Sequence, residues 1–124
     1  MPLVRIDHPA GRDGAAIGRA VHAAMTETFN VPEDDLFQVV TEHAPGRGLV
    51  RPESYLGIRY SEGFTVVQIT CNDTRTVEQK KALYRAIADN LHRDAGLRRE
   101  DVLVQLVEVR KENWSFGNGE AQYA

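Results

Sequence analysis

Residues 64–109 read FTVVQITCNDTRTVEQKKALYRAIADNLHRDAGLRREDVLVQLVEV, and this stretch decides the fold. Its β-branched opening at 64–70 predicts a strand. Residues 76–79 have the form of a capping box, which predicts a helix start, and Gly96 predicts the end of that helix. The nearly continuous apolar run at 102–109 is typical of a strand covered on both faces. The stretch therefore predicts a βαβ unit.

A similar order of elements precedes this unit. Residues 3–7 alternate apolar and polar side chains, as a half-buried strand does. From about residue 12 to 29 apolar residues recur at helical spacing, and residues 37–41 predict a second strand. A connection rich in glycine and proline runs from 45 to about 63, where residues 55–60 predict a short strand. The first third of the chain is thus a second βαβ unit.

The two units are also similar residue by residue. At an offset of 66, three segments align: residues 17–21 with 83–87, Met25 with Leu91, and residues 35–37 with 101–103. An internal duplication explains both the order and the match. We expect one α/β (α+β) domain over 1–124, with repeat halves at about 1–45 and 64–111 and a C-terminal extension at 112–124.

Each βαβ unit is expected to be right-handed with parallel strands, so the pair predicts a four-stranded mixed sheet with two helices on one face. Nothing else in the chain is available to cover the other face. Because the strands are apolar, we expect other subunits to cover it, which makes the protein an oligomer.

Composition narrows the class of protein. The chain has 124 residues, 42% hydrophobic and 27% charged, which suits one globular domain. A net charge of −3 provides no basic surface for nucleic acid. The apolar runs are shorter than the roughly 18 residues of a membrane span, and residues 1–5 lack the apolar run of a signal peptide. We expect a soluble, cytoplasmic protein in which the lone Cys71 forms no internal disulfide.

Common catalytic motifs are absent from the sequence. There is no Gly-x-Ser-x-Gly elbow, phosphate loop or paired-cysteine motif. The Gly-x-Gly at 117–119 follows a strand with no helix after it, which argues against phosphate binding. Cys71 is expected to be a small strand-end residue rather than a nucleophile. No metal, redox cofactor or phosphate donor is implied, and four residues lack metal-ligand spacing and are expected to be surface or packing residues: His8, His22, His43 and His92.

Pro2 is the unusual residue. An initiator methionine before a small residue is normally removed, and this would leave a secondary amine that leads directly into a strand. An α-amino group has an ordinary pKa of roughly 8, so a modest shift produces a base at neutral pH. Proline is also common at this position by chance, so Pro2 alone does not establish catalysis.

Several features together resemble the tautomerase superfamily, in particular its malonate semialdehyde decarboxylase-like branch. They are Pro2 ahead of an amphipathic strand, the duplicated βαβ unit, Pro32-x-x-Asp35-x-Phe37-Gln38, Arg75 shortly before Glu78-Gln79-Lys80, and Asn113-Trp114-Ser115-Phe116-Gly117. The resemblance covers essentially the whole chain. It implies a cofactor-independent enzyme and a homotrimer with the N-terminal proline at the floor of a pocket near a subunit boundary.

The resemblance also implies roles for five residues. Pro2 would be the acid or base, and Asp35 would activate water or hold a polar group of a small carboxylate substrate. Arg75 would bind the substrate carboxylate, and Trp114 and Phe116 would form the pocket wall. The decarboxylase has a second arginine two residues before the first, where this chain has Asp73. That exchange is expected to weaken decarboxylation of a short dicarbonyl acid more than simple tautomerisation.

The residues taken without the resemblance leave plainer alternatives open. Arg75 could be a solvated loop residue, and Asp35 could serve a turn, as could its repeat counterpart Asp101. Trp114 and Phe116 could be core or subunit contacts.

Three functions follow from these alternatives. The first is a keto–enol tautomerase for a small 2-oxo acid, with neutral Pro2 as general base. The second is a malonate semialdehyde decarboxylase-like lyase or hydratase, in which a cationic Pro2 polarises a carbonyl and Asp35 activates water. The third is a trimeric binding module without catalysis, in which Pro2 is incidental.

Overall fold

The computed structural model describes residues 2–124. Six strands and two long helices follow one another along the chain. Their bounds are β1 Leu3–Pro9, α1 Gly14–Phe29, β2 Gln38–His43, β3 Ser54–Tyr55, β4 Ile58–Arg59, β5 Thr65–Asn72, α2 Val77–Ala95 and β6 Val102–Val109. Short 3-10 turns at Arg99–Asp101 and Lys111–Asn113 flank β6.

The main sheet has the order β2-β1-β5-β6. Strand β1 runs parallel to β2, β5 runs parallel to β6, and the two central strands β1 and β5 are antiparallel. The mixed four-stranded sheet predicted from the duplicated unit is therefore confirmed. Because the central pair is antiparallel, β1 and β2 begin at the end of the sheet where β5 and β6 finish. We call this end the Pro2 end.

Both helices pack on one face of the sheet and form the core with it. The positions aligned by the internal repeat are buried in equivalent places, since no side chain among them is more than 2% exposed. They are Ile17 and Leu83, Val21 and Ile87, and Met25 and Leu91. Burial of each such side chain contributes about 1.5–3 kcal/mol, so both halves depend on the same packing solution.

The helix ends follow the sequence signals closely. Asp13 precedes α1, and its carboxylate accepts a hydrogen bond from the Ala16 amide. Thr76 and Gln79 form the predicted reciprocal capping box at the start of α2. The predicted stop at Gly96 is a left-handed residue with φ +67°, which glycine adopts without steric cost.

The connection between the two units differs from the prediction. The sequence predicts a single short strand at 55–60, and the structure instead has a two-stranded hairpin in which β3 and β4 pair antiparallel. Its turn consists of Leu56 and Gly57, both with positive φ. Two consecutive left-handed residues reverse the chain as a tight hairpin turn requires, so the segment cannot remain extended.

The second face of the main sheet carries apolar side chains and has no helix over it. Leu103 and Val107 on β6 are 40% and 37% exposed, and Val39 on β2 is 42% exposed. Successive side chains of β6 therefore point alternately to the helix-covered face and to the face that is open within the described chain. No helix within residues 2–124 is long and apolar enough to cross a membrane.

Candidate functional site

Pro2 is buried at the end of the sheet that bears its name. In the ladder, Leu3 faces Thr70 of β5, and Val4 donates a backbone hydrogen bond to the Phe37 carbonyl at 3.0 Å. Continuing the β5 register by one residue and the β2 register by two residues places Pro2 between Leu36 and Cys71. The removal of Met1 concerns a residue outside the described range.

Asp35 lies in the loop that leads into β2, beside this end of the sheet. The residue is 8% exposed, and its amide donates to the Pro32 carbonyl at 3.0 Å. Its Oδ1 is sealed from solvent and has no hydrogen-bond partner in the described chain. Burial raises the pKa of the Asp35 carboxyl, the neighbouring Asp34 adds to this effect, and the charge of Arg75 opposes it. A buried carboxylate oxygen without a donor is costly to maintain, which is typical of a functional group.

The counterpart of Asp35 in the repeat behaves differently. Asp101 is 1% exposed, yet it accepts hydrogen bonds from the Ser61 amide at 2.8 Å and from the Ser61 hydroxyl. Arg98 lies 3.5 Å from the same carboxylate. Asp101 is thus a fully bonded structural residue. A shared turn requirement therefore does not account for Asp35.

Arg75 occupies the loop between β5 and α2. Its Nη2 donates to the carbonyl oxygen of Phe29, the last residue of α1, at 2.9 Å, and its Nη1 donates to the Thr74 hydroxyl at 3.3 Å. The guanidinium lies over the Phe29 ring, 4.8 Å from the centroid. No carboxylate of residues 2–124 forms an ion pair with Arg75. Arg75 is therefore held in place, unlike a solvated loop residue, and its charge is still available to an anion.

Arg12 occupies the position before α1 that Arg75 occupies before α2. Each arginine directly precedes the N-cap of its own helix, and Arg12 donates to the carbonyl of Gly96 at the end of α2. Both arginines thus bind the C-terminus of the other half's helix, where the helix dipole favours a cation. The two sites differ in their carboxylates, because Asp101 is fully bonded and Asp35 is not.

An aromatic cluster borders the same end of the sheet. The rings of Trp114 and Phe116 stack with centroids 5.3 Å apart and an interplanar angle of 13°. Phe116 also contacts Phe37 at 6.1 Å and Tyr123 at 5.2 Å. Trp114 and Phe116 are half-buried, so they form an accessible apolar wall rather than core.

Asn72 ends strand β5 beneath this wall. It is 7% exposed, and its Oδ1 accepts a hydrogen bond from the indole nitrogen of Trp114 at 2.8 Å. The next residue, Asp73, is exposed, and its amide donates to the Val109 carbonyl at 3.2 Å. The carboxylate that stands where the resemblance leads one to expect a second arginine is thus a surface charge.

The structure adds residues to the predicted site. Phe29, Asn72 and Tyr123 contact Arg75, Trp114 and Phe116 respectively. Phe29 carries no signal beyond its place in the apolar stripe of α1, and Tyr123 stands in a C-terminal segment without periodicity. Asn72 gives a weak signal, because a polar amide that ends an apolar strand is unusual.

The remaining candidate groups lie elsewhere or are inert. Cys71 is buried, and burial raises the pKa of its thiol, which disfavours the reactive thiolate. His8, His22 and His92 each bond a backbone carbonyl, while His43 pairs with Asp7 at 2.7 Å. Within residues 2–124 no three potential ligands cluster as a metal site would require.

The two main grooves of the described chain are not at the aromatic wall. The larger, of about 600 Å³, lies at the opposite end of the sheet around Pro9, His43 and Phe64. The second, of about 480 Å³, runs between α1 and β2. Size alone would favour the first groove, but the unpartnered Asp35 and unpaired Arg75 lie at the Pro2 end. We therefore place the candidate site there.

Comparisons with known proteins match the whole chain. Two family models, each described as a tautomerase enzyme, match residues 35–117 and residues 2–55. Probable tautomerase YusQ of Bacillus subtilis (strain 168) is 41% identical over 125 residues, or 98% of each chain. Probable tautomerase YrdN of the same organism is 34% identical over 126 residues, which cover 99% of this chain and 96% of that protein.

Solved structures agree with these relatives. A crystal structure of FG41 malonate semialdehyde decarboxylase inhibited by 3-bromopropiolate matches with a TM-score of 0.90 and 33% identity, covering 98% of this chain and 93% of that one. Structures of wild-type, mutant and inactivated malonate semialdehyde decarboxylase match with a TM-score of 0.86 and 34% identity. The match covers 98% of this chain and 95% of that one. A wild-type fused 4-OT, described as a symmetric trimer, shares the fold with a TM-score of 0.77 and 23% identity. The match covers 98% of this chain and 97% of that one.

Proposed function

The chain belongs to the tautomerase family, and from this premise we propose that it is a keto–enol tautomerase for small 2-oxo acids with Pro2 as general base. The observation that carries the proposal is Arg75. It is a half-buried guanidinium, fixed by Phe29, without a carboxylate partner among the described residues, at the end of the sheet where the chain begins. A planar guanidinium in that state is suited to bind a carboxylate with two parallel hydrogen bonds.

The proposed proton transfer needs only the amine and the anchor. With the substrate carboxylate on Arg75, the Pro2 nitrogen takes the proton of the enol hydroxyl. The O–H electron pair becomes the carbonyl π bond, and the electrons of the carbon–carbon double bond then take the proton back from Pro2 at carbon 3. The nitrogen is regenerated in each cycle. The base requires the removal of Met1, because an acylated proline nitrogen has no basic lone pair.

Two opposing effects set the protonation state of Pro2. The aromatic wall of Trp114 and Phe116 and the cation of Arg75 disfavour a second positive charge and lower the pKa of the amine. Asp35 has the opposite effect when it is ionised. We propose that the aromatic wall and Arg75 outweigh Asp35, so that Pro2 is neutral at pH 7. The titration described below tests this balance.

The substrate class follows from the charges at the site. Arg75 supplies a single carboxylate anchor, and Asp73 places a negative charge where a second anchor would stand. The aromatic residues favour an apolar group on carbon 3 of the substrate. We therefore propose a monocarboxylic 2-oxo acid with an apolar, in particular an aryl, substituent.

We propose that the chain works as a homotrimer. The open sheet face carries apolar side chains such as Val39 and Leu103 that a partner would cover. The fused 4-OT of the same fold is described as a symmetric trimer. A single catalytic domain over the whole chain and a cytoplasmic location stay predictions.

A second candidate function rests on Asp35. Two malonate semialdehyde decarboxylases are 33% and 34% identical to this chain, and the structures of the second are described as a basis for its decarboxylase and hydratase activities. A buried carboxylate with an unpartnered oxygen suits activation of water in a hydration step. That chemistry requires a cationic Pro2, so the pKa of the amine separates the two functions.

The test is ketonisation of the enol of phenylpyruvate, followed by the loss of its ultraviolet absorbance, together with a pH titration of the Pro2 nitrogen by NMR. We expect catalysis and an amine pKa at or below about 7, lower than the roughly 8 of an ordinary amine. A clearly raised pKa with turnover of malonate semialdehyde instead would establish the second function. Absence of any amine titration would show that Met1 is retained.

A further inference from the structure

Asn72 has one amide oxygen fixed and one amide nitrogen available. The indole N–H of Trp114 can only donate, so the atom 2.8 Å from it must be the carbonyl oxygen Oδ1. This fixes the orientation of the amide. No atom of residues 2–124 accepts a hydrogen bond from Nδ2. Asn72 is 7% exposed and its Nδ2 is not among the buried polar atoms, so it presents two oriented N–H groups that a ligand can reach and that have no acceptor within residues 2–124.

The register puts these N–H groups at the reacting end of the site. Leu3 faces Thr70, so Pro2 faces Cys71, and Asn72 is one residue further. In a chain that begins at Pro2, Asn72 therefore borders the space in front of the proline nitrogen. Arg75 follows three residues later, in the loop after β5, and so supplies a cation at the same end of the sheet.

The residues assigned so far leave the 2-oxo oxygen of the substrate without a hydrogen-bond donor, which Asn72 can supply. A 2-oxo acid carries a carboxylate, which Arg75 binds, and a 2-oxo oxygen that gains negative charge as the enol loses its proton. A neutral amide N–H can bind that oxygen without adding a charge that would compete with Arg75 for the carboxylate. An immobilised donor is effective because it needs no reorganisation when the charge develops.

We propose that Asn72, held by Trp114, donates its amide N–H to the 2-oxo oxygen of the substrate and so selects 2-oxo acids over simple carboxylates. This inference rests on the proposed tautomerase function and names the group that recognises its substrate. The proton still moves between the enol oxygen, Pro2 and carbon 3, while the Asn72 N–H remains on the oxygen throughout.

The test compares two ligands that differ in the 2-oxo oxygen alone. Phenylpyruvate and 3-phenylpropanoate share the aryl group and the carboxylate, so their affinity ratio measures recognition of the oxygen. Asn72→Ala removes the amide. Asn72→Asp keeps an oxygen for the Trp114 indole, and hence the packing of the wall, but removes both N–H donors. Asn90→Ala, which removes a buried amide that donates to the Ala20 carbonyl between the two helices at 3.2 Å, is the matched control outside the site.

In both Asn72 variants we expect kcat/KM for the phenylpyruvate enol to fall on the order of a hundredfold, the cost of removing one preorganised donor. In Asn72→Ala the preference for phenylpyruvate over 3-phenylpropanoate should fall about tenfold, while the affinity for 3-phenylpropanoate stays close to that of the wild type. Asn90→Ala should retain the wild-type preference. Trp114→Phe keeps the ring stack but removes the indole N–H that orients the Asn72 amide. Its kcat/KM should therefore lie between those of the wild type and the Asn72 variants.

Two results would overturn the inference and can be told apart. If the wild type is active and both Asn72 variants match its kcat/KM and preference, Asn72 does not recognise the oxygen and the tautomerase function stands. If the wild type binds neither ligand and does not convert the enol, the proposed function and this inference are both wrong.

Discussion

Arg75 donates to the carbonyl oxygen of Phe29 at 2.9 Å while its guanidinium lies 4.8 Å from the centroid of the Phe29 ring. One residue of α1 thus holds the anchor through both its backbone and its side chain. Because α1 belongs to the first βαβ unit and Arg75 to the second, the site depends on the packing of the two halves against each other.

The first prediction concerns this anchor. Arg75→Ala should raise KM for a 2-oxo acid about ten- to a hundredfold, because hydrogen bonds to a charged group contribute about 1.5–3 kcal/mol. Arg75→Lys should recover part of the loss, since it keeps the charge but not the planar fork. Steady-state kinetics on the phenylpyruvate enol measures both effects.

Arg12→Ala is the control for the Arg75 variants. It removes the equivalent contact with the C-terminus of α2 at the other end of the sheet. We expect a stability loss of about 1 kcal/mol in urea denaturation and unchanged kinetics. Equal kinetic losses in the Arg12 and Arg75 variants would mean that both arginines act through the fold alone.

The second prediction concerns the N-terminus. Only chains that begin at Pro2 have a basic nitrogen, so specific activity should rise in proportion to the fraction of chains without Met1, measured by intact mass. Pro2→Ala keeps a primary amine and should lose less than the roughly 100- to 10,000-fold effect of removing a general base. Full activity in material that retains Met1 would exclude Pro2 as the base.

The third prediction uses the raised pKa of Asp35. A carboxyl with a higher pKa in the folded than in the unfolded state binds protons more tightly when folded, so it lowers stability as pH rises through the two values. Asp35→Asn removes this penalty. We expect the variant to have a higher Tm than the wild type at pH 7, with the difference disappearing at acidic pH, below the unfolded value of about 4.

Loss of hydratase or tautomerase activity in the same Asp35→Asn protein would show that the buried carboxylate is retained for function at the expense of stability. Asp101→Asn provides the comparison, because Asp101 is fully bonded. That variant should be less stable than the wild type at pH 7. A lower Tm in Asp35→Asn would contradict the assignment of an uncompensated charge.

The repeat makes most of the fold predictable. Ile17 and Leu83 can be recognised as equivalent core residues from the sequence alone, because helical spacing and the offset both indicate them. The hairpin at 54–59 could not be predicted, since its turn uses Leu56 at a positive φ that leucine rarely adopts.

The site was less accessible to sequence reasoning for a related reason. Arg75 and Trp114 could be named from the resemblance, but their partners come from other elements that fold against them. Phe29 reads as one more apolar residue of α1, and only the docking of the two halves brings it beneath a guanidinium. Asp35 and Asp101 occupy equivalent positions, and their difference arises from Ser61 in the connection between the repeats.

The fourth prediction concerns the charge at position 73. Asp73 is exposed two residues before Arg75, so Asp73→Arg changes the local charge by two units without disturbing the core. We expect the inhibition constant of malonate, a dicarboxylate, to fall about fivefold, since a partly solvated ion pair contributes up to about 1 kcal/mol. The constant for 3-phenylpropanoate, with one carboxylate already on Arg75, should change less. Asp73→Asn removes only the repulsion and should give an intermediate value for malonate.

Equal tightening of both inhibitors in Asp73→Arg would mean that the arginine acts as a distant charge and does not contact the second carboxylate. A selective gain for malonate would instead show that Asp73 limits the natural substrate to a single carboxylate.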